Sequence, residues 1–267
     1  MKTNEKMKIW SLIFILLVVF SCKKEKQDKE NIEEYTASAA DNSLAENTSE
    51  EVETISDEAA AGKMAFVSYS SSCVNITYDS LSAVKSIIID FGPENCLCED
   101  GKYRRGKVIV TYEGSYFEEG SVKTKTTDNY FVNDNQIIGS KTVTNVGNLS
   151  HHIVANWEII KADNGGTITW NSERDRVQIA GIETPDFRGD DTYEISGSAS
   201  GVNAKGKNYS LLITENLIKE VACKWIKAGV ISKTVEDKVG TIDFGDGECD
   251  NQAVVTRNGK TKTITLK

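Results

Sequence analysis

Ile89-Asp90-Phe91-Gly92, followed by Cys96 and then by Arg104, Gly106 and Lys107, returns near the C-terminus as Ile242-Asp243-Phe244-Gly245, Cys249, Arg257, Gly259 and Lys260. The two copies, 89–107 and 242–260, keep the same internal spacing without a gap, and eight of nineteen positions are identical. Each begins with an apolar pair flanking an Asp and passes into a Gly/Cys turn. This is the pattern of a duplicated supersecondary unit in which a strand enters a turn and leaves along a second strand.

Outward from the first copy the hydrophobic period is two. Val108, Val110 and Tyr112 alternate with Ile109, Thr111 and Glu113, and a turn at Glu118-Glu119-Gly120 follows. Runs at 122–132, 137–146, 152–161, 167–171, 176–182, 193–200 and 207–214 continue the alternation. They are separated by Asn133-Asp134-Asn135, Asp163-Asn164-Gly165-Gly166 and Ala204-Lys205-Gly206-Lys207, whose Asn and Gly residues tolerate the positive φ of tight turns. Thr on one face, with Val, Ile or Tyr on the other, fits strands with one wet and one buried side. The expected fold is all-β: an antiparallel meander forming a sandwich or open barrel over residues 63–267, with no amphipathic helix after residue 62 longer than a short run conceivable at 217–221.

The N-terminal quarter reads differently. Lys2, Lys6 and Lys8 precede an apolar run from Ile9 to Phe20, and Ser21-Cys22 closes it. About 12 apolar residues are too few to span a hydrocarbon core that needs roughly 20, so residues 1–22 are expected to be a cleaved targeting signal. Val19-Phe20-Ser21-Cys22 resembles the lipobox of bacterial lipoproteins, which implies diacylglycerol on the Cys22 thiol and further acylation of its amine. Lys23 follows in place of an Asp, which by the same resemblance implies the outer membrane of a Gram-negative cell. Residues 23–62 are rich in Glu, Ala, Ser, Thr and Asn. Between 23 and 60, four lysines stand against twelve acidic residues. So polar a segment is expected to be a disordered or only transiently helical tether with a mean reach of roughly 35 Å, with a helical stretch near 50–61 as the alternative at its end.

Five cysteines remain once Cys22 is set aside. The repeat pairs Cys73 with Cys96 and Cys223 with Cys249, because each partnership staples the strand before the motif to the turn after it. Each disulfide is expected to contribute about 2–4 kcal/mol. Cys98 either stays a thiol or takes the place of Cys96 as the partner of Cys73.

Other motifs carry less. His151 and His152 are the only histidines and point to opposite faces of a strand. Asp243, Asp246 and Asp250 gather in a Gly-rich turn and are weak candidates for calcium, which favours oxygen clusters. Arg188-Gly189-Asp190 is a three-residue match to an adhesion motif. Trp157, Trp170 and Trp225, with Tyr112, Tyr116 and Tyr130, suit either a sugar-stacking platform or a core, and their alternation favours the core. No phosphate loop, nucleophile motif or zinc spacing is present, no cofactor is expected, and the near-neutral β-region excludes a nucleic-acid stripe.

The Ile-Asp-Phe-Gly motif, with Asp100-Gly101-Lys102-Tyr103-Arg104-Arg105-Gly106-Lys107-Val108-Ile109-Val110-Thr111-Tyr112, Asp246-Gly247-Glu248-Cys249-Asp250-Asn251 and Asn258-Gly259-Lys260, resembles a group of uncharacterised bacterial lipoproteins. The likeness spans most of 73–267 and implies a lipoprotein with a single β-rich unit, without an activity. The function expected is an outer-membrane lipoprotein, held by its N-terminal lipid on the periplasmic or surface face, that serves as a binding or structural module for an envelope protein or glycan. The alternative is a lipid-tethered extracytoplasmic hydrolase, which would present converging carboxylates in an open cleft.

Overall fold

The computed structural model describes residues 4–62, 73–184 and 187–266. Among these described residues one α-helix, α1 (Asn4–Ala60), precedes fourteen strands. The first seven are β1 (Asn75–Asp79), β2 (Lys85–Asp90), β3 (Cys96–Leu97), β4 (Tyr103–Tyr112), β5 (Val122–Val132), β6 (Asn135–Gly147) and β7 (Ser150–Ile160). The rest are β8 (Thr167–Ala180), β9 (Thr192–Val202), β10 (Asn208–Glu220), β11 (Ala228–Val235), β12 (Lys238–Asp246), β13 (Gln252–Arg257) and β14 (Lys260–Thr265). Every pairing is antiparallel and follows chain order, with the short β3 set against the start of β4. The all-β meander is therefore present as one sheet, left open between β1 and β14.

That sheet is curled. α1 touches β2 and β4 near one edge, β7 and β8 in the middle, and β13 and β14 at the other edge, so the strands wrap round it. Bulges supply the bend, because an extra residue on one strand increases local twist. They fall between Arg105 and Lys107, between Thr126 and Tyr130, and twice along β10 against β11. Gly106 sits in the first of these at φ +82°, and a Cβ there would lie 1.9 Å from the Asn129 carbonyl oxygen.

The strands present two unlike faces. Outward positions carry Thr124, Thr126, Thr142, Asn156, Glu158, Asn171, Glu173 and Asp175, a wet surface. Inward positions carry Ile137, Ile159, Ile168, Trp157, Trp170, Tyr130, Leu211 and Ile231, together with the buried cations Arg104, Lys123, Lys125, Lys141, Arg174, Arg176 and Lys233. The six aromatics weighed as a platform or a core fall on the core side: Tyr116, Tyr130, Trp157 and Trp170 are buried, and Tyr112 and Trp225 pack against the core cluster.

Residues 23–62 depart from the expected tether well beyond the helical stretch read near 50–61. They are not a disordered tether, since α1 continues through them to Ala60, and Tyr35, Ala39, Ala45, Val52, Ile55 and Ala59 are all buried in the sheet. Glu and Ala favour a helix intrinsically. Gly62, at φ +66°, donates to Ala59 O and ends it in the left-handed conformation. The carboxylates of α1, polar enough to suggest a solvated segment, turn inward with its apolar side chains and meet buried cations of the sheet. A second correction has the same cause. The runs read as 167–171 and 176–182 are one strand, β8, because the polar residues between them alternate like the rest: Ser172 and Arg174 inward, Asn171, Glu173 and Asp175 outward. The helical run conceivable at 217–221 is instead the end of β10, which stops at Glu220. The onset of strand character expected from Lys63 lies outside the described residues as far as residue 72.

The repeat is structurally real only in its first half. Asp90 Oδ1 accepts from Gly92 N at 2.8 Å and Asp243 Oδ1 accepts from Gly245 N at 2.9 Å, the same turn twice. Phe91 and Phe244 are both buried, and the structure joins Cys73 to Cys96 and Cys223 to Cys249, with Cα separations of 6.0 and 5.7 Å. The second halves part company. Ile89 pairs with Val108, so Gly106 and Lys107 lie on the return strand, whereas Ile242 pairs with Val255 and Gly259-Lys260 begin the next hairpin. Cys98 is a buried thiol, its pKa raised by burial more than Arg104 lowers it.

Two outcomes follow from this packing. Gly106→Ala is expected to destabilise by about 3 kcal/mol or more, and Gly259→Ala, with φ +71° but open space around it, by about 1 kcal/mol, as read by urea denaturation. On the unreduced protein, N-ethylmaleimide is expected to add at Cys98 slowly while folded and promptly in denaturant, whereas rapid labelling of the native chain would show this thiol to be exposed.

Candidate functional site

The site with the densest chemistry is the contact between α1 and the concave face of the sheet. Acidic residues recur along the helix at 34, 41, 46, 50, 51, 53 and 57, and each meets a cation or a backbone donor. Glu34 pairs with Lys238 at 3.0 Å. Asp41 takes Lys161 at 2.8 Å and the Ala204 N–H at 3.0 Å. Glu46 binds Arg174, and Glu51 binds Lys102 and Arg104. Glu53 sits at the centre, with Lys125 Nζ at 2.5 Å, Lys141 Nζ at 3.3 Å and Arg176 Nη2 at 3.5 Å. Glu50 shares Lys141 and Arg176, and Asp57 accepts from the Tyr116 hydroxyl at 2.8 Å beside Lys125.

The helix enters among the turns 133–134, 161–166, 203–207 and 236–237 and leaves among the loops at the opposite end, where Tyr78 OH donates to Ala59 O. Its last turn holds Asp57 and Glu58 and no basic residue, an arrangement the helix dipole opposes. The cations of β5 and β8 offset that cost, so the helix end is stabilised by the sheet and not by itself.

Electrostatics agree with the geometry. Burial pushes the Glu53 carboxyl up, but Lys125, Lys141 and Arg176 pull it further down, and it titrates well below the ordinary carboxylate range. Glu50 is lowered against the same burial by Lys141 and Arg176. His151 faces this cluster. Burial first, then Arg176 and Lys123, lower its pKa to about 4. Lys233, desolvated over the Tyr209 ring at 4.3 Å and donating to Ser38 O, is lowered to about 7.

The match is incomplete in one strip. Trp157 and Trp170 are cross-strand neighbours on β7 and β8, and Ser172 and Arg174 follow Trp170 on the same inward side. Among the described residues both indole N–H groups, Ser172 Oγ and Arg174 Nε and Nη1 have no partner, nor have the Asn42 amide and Ser38 Oγ on the helix. A buried donor left unmet costs about 1–3 kcal/mol. On the opposite side of the helix a cavity of about 210 Å³ lies between Asp41, Asn47, Thr48, Glu51, Lys102 and Lys161.

The residues singled out from the sequence fall elsewhere. Cys22 lies within α1, its side chain outside the described residues. Asp243 and Asp250 each cap a separate turn, accepting from Gly245 N and Gln252 N, and Asp246 ends β12. The structure does not bring these three into a metal-sized cluster. Arg188–Asp190 form a 3-10 turn in which Asp190 accepts from Thr184. His152 is on the outer face beside Asp175 at 2.9 Å, so the two histidines do part to opposite faces. Sequence reasoning missed the helix–sheet site. The signal was there in the inward alternation of Lys123, Lys125, Arg174 and Arg176, cations at positions where a core strand carries apolar residues. Against known proteins, the chain matches no family model, no curated protein and no solved structure.

Acid is expected to loosen this contact. Glu50 and Glu53 have lowered folded pKa values, so their stabilisation is complete above the unfolded carboxylate range near pH 4.5 and is lost as pH falls below it. His151 acts in the same direction: between about pH 4 and 6.5 the unfolded chain takes up a proton that the folded one refuses, so stability rises with pH across that window. Thermal melts from pH 7 to 3 should show a progressive fall in Tm. Glu53→Gln should cost about 3–5 kcal/mol at pH 7, since it strips a buried cluster of its central anion. A loss under 1 kcal/mol would mean that the cations are hydrated.

Proposed function

We propose that this chain is a lipid-anchored envelope protein, attached to the outer membrane through Cys22, and that it serves as a binding module through the concave face of its sheet. One observation carries the reading: the helix that contains Cys22 runs without a break into the sheet and is held there by buried ion pairs. Twelve residues of helix separate Cys22 from Glu34, about 18 Å at 1.5 Å per residue. The β-region is thus carried close to the membrane by a stiff connection and not held off by a loose chain.

The lipobox resemblance supports the anchor. The hydrolase alternative called for carboxylates converging on an open cleft. On the concave face the carboxylates belong to the helix, fill the space, and lie opposite cations. That arrangement favours recognition of an acidic, acceptor-rich ligand.

The anchor is tested by labelling cells with a clickable palmitate analogue and measuring the intact mass of the membrane-extracted protein. The expected result is an acylated N-terminal Cys22 and release of Cys22→Ala into the soluble fraction. A Cys22→Ala chain that stays with the membrane, or a wild-type chain without lipid, would defeat the reading.

A further inference from the structure

The strip Trp157, Trp170, Ser172 and Arg174 consists almost wholly of donors. Indole N–H and guanidinium groups cannot accept, so whatever satisfies them must present oxygen acceptors. All four side chains are more than nine-tenths buried and face α1. The resident helix supplies one acceptor group, Glu46, to Arg174.

The register shows what is missing. Along β8, Arg174 meets Glu46 and Arg176 meets Glu50, so each step of two residues on the strand answers a step of four on the helix. The two rises agree: about 6.7 Å for two strand residues and about 6.0 Å for four helical ones. One step earlier Ser172 answers position 42, and Trp170, a further step back, answers Ser38, whose Oγ has no partner either. At position 42 the helix carries Asn42, whose amide meets neither Ser172 nor Trp170. A carboxylate at that position would extend the series 46, 50 by one turn.

Resting on the binding-module reading above, we propose that this strip is the docking site for an acidic α-helix supplied by a partner protein, with carboxylates at positions equivalent to 42, 46 and 50. The chain's own helix holds the site as an imperfect occupant and gives way to it. Charge complementarity selects the partner. The groove already accepts a helix of about 10 Å diameter, its inward cations await anions, and its orphaned donors mark the position that the resident leaves unfilled.

The test uses the full-length chain in detergent and a fluorescein-labelled peptide of residues 32–62, followed by anisotropy. The parent peptide is expected to bind saturably. An Asn42→Glu peptide is expected to bind about tenfold tighter, the scale of one charge-assisted hydrogen bond. On a Trp170→Phe/Ser172→Ala chain that gain should vanish while parent binding persists. If the double variant does not fold, the two peptides are compared on the wild-type chain, where equal affinities would overturn the proposal. It is also overturned if no peptide binds, if a scrambled peptide of the same composition competes equally, or if ordered water already satisfies the strip so that Asn42→Glu gains nothing. Concentration-dependent dimers that the peptide dissolves would assign the groove to a second copy of this chain and overturn the partner. Cys22→Ala leaves the isotherms unmoved, so failure of the anchor and failure of this site are read separately.

Discussion

Glu53 among Lys125, Lys141 and Arg176 is the constraint on which the rest of the structure depends. Three cations on three different strands, β5, β6 and β8, converge on one carboxylate of α1. Buried ion pairs add little net stability over apolar residues of the same size, because desolvation cancels most of the attraction. Their effect is to fix position. A helix displaced by one turn would set Glu50 or Asp57 where Glu53 belongs and break the pairs at Glu46 and Glu51 together. The apolar contacts of Ala39, Ala45, Val52 and Ile55 tolerate such slippage far better, so the charges define the register and the aliphatic side chains provide the adhesion.

Sheet curvature and helix charge then depend on each other. Without α1 the concave face would expose Trp157, Trp170, Ile159 and Ile168 beside seven cations. Without the bulges at Arg105/Lys107 and along β10, the strands could not bring β2 and β14 to opposite flanks of a single helix. The open edge between β1 and β14 is compatible with this arrangement because the helix, more than a closed hydrogen-bond ring, unites the two ends of the sheet.

What the sequence disclosed and what it concealed divide along the same line. The meander, the turns at 133–135, 163–166 and 204–207, and the Cys73–Cys96 and Cys223–Cys249 pairs follow from local alternation, glycine and asparagine turn chemistry, and a repeat whose first half is a true structural unit. The helix at 32–60 and the unbroken β8 were hidden because their inward side chains are charged. A rule that equates polar with exposed reads Glu53 as tether and Arg174 as loop, when each is buried by the other. The rear half of the repeat misled for a different reason: Arg-x-Gly-Lys recurs in sequence, yet Gly106 sits in a bulge against Asn129 and Gly259 in an open turn.

The separations bridged by α1 bear on how the chain reaches this state. Lys238 is 204 residues from Glu34, and the Tyr35 hydroxyl donates to the Lys233 carbonyl across 198 residues. Synthesis delivers the helix first and the strands that neutralise its N-terminal half last. For nearly the whole of its emergence the acidic segment therefore has no interior to enter, and its high local charge keeps it solvated while the strands accumulate. Contacts so distant in sequence make for slow folding. The half-made sheet, curved and cationic within, presents unpaired edges throughout that interval, so it is exposed to edge-to-edge association until its last two strands arrive.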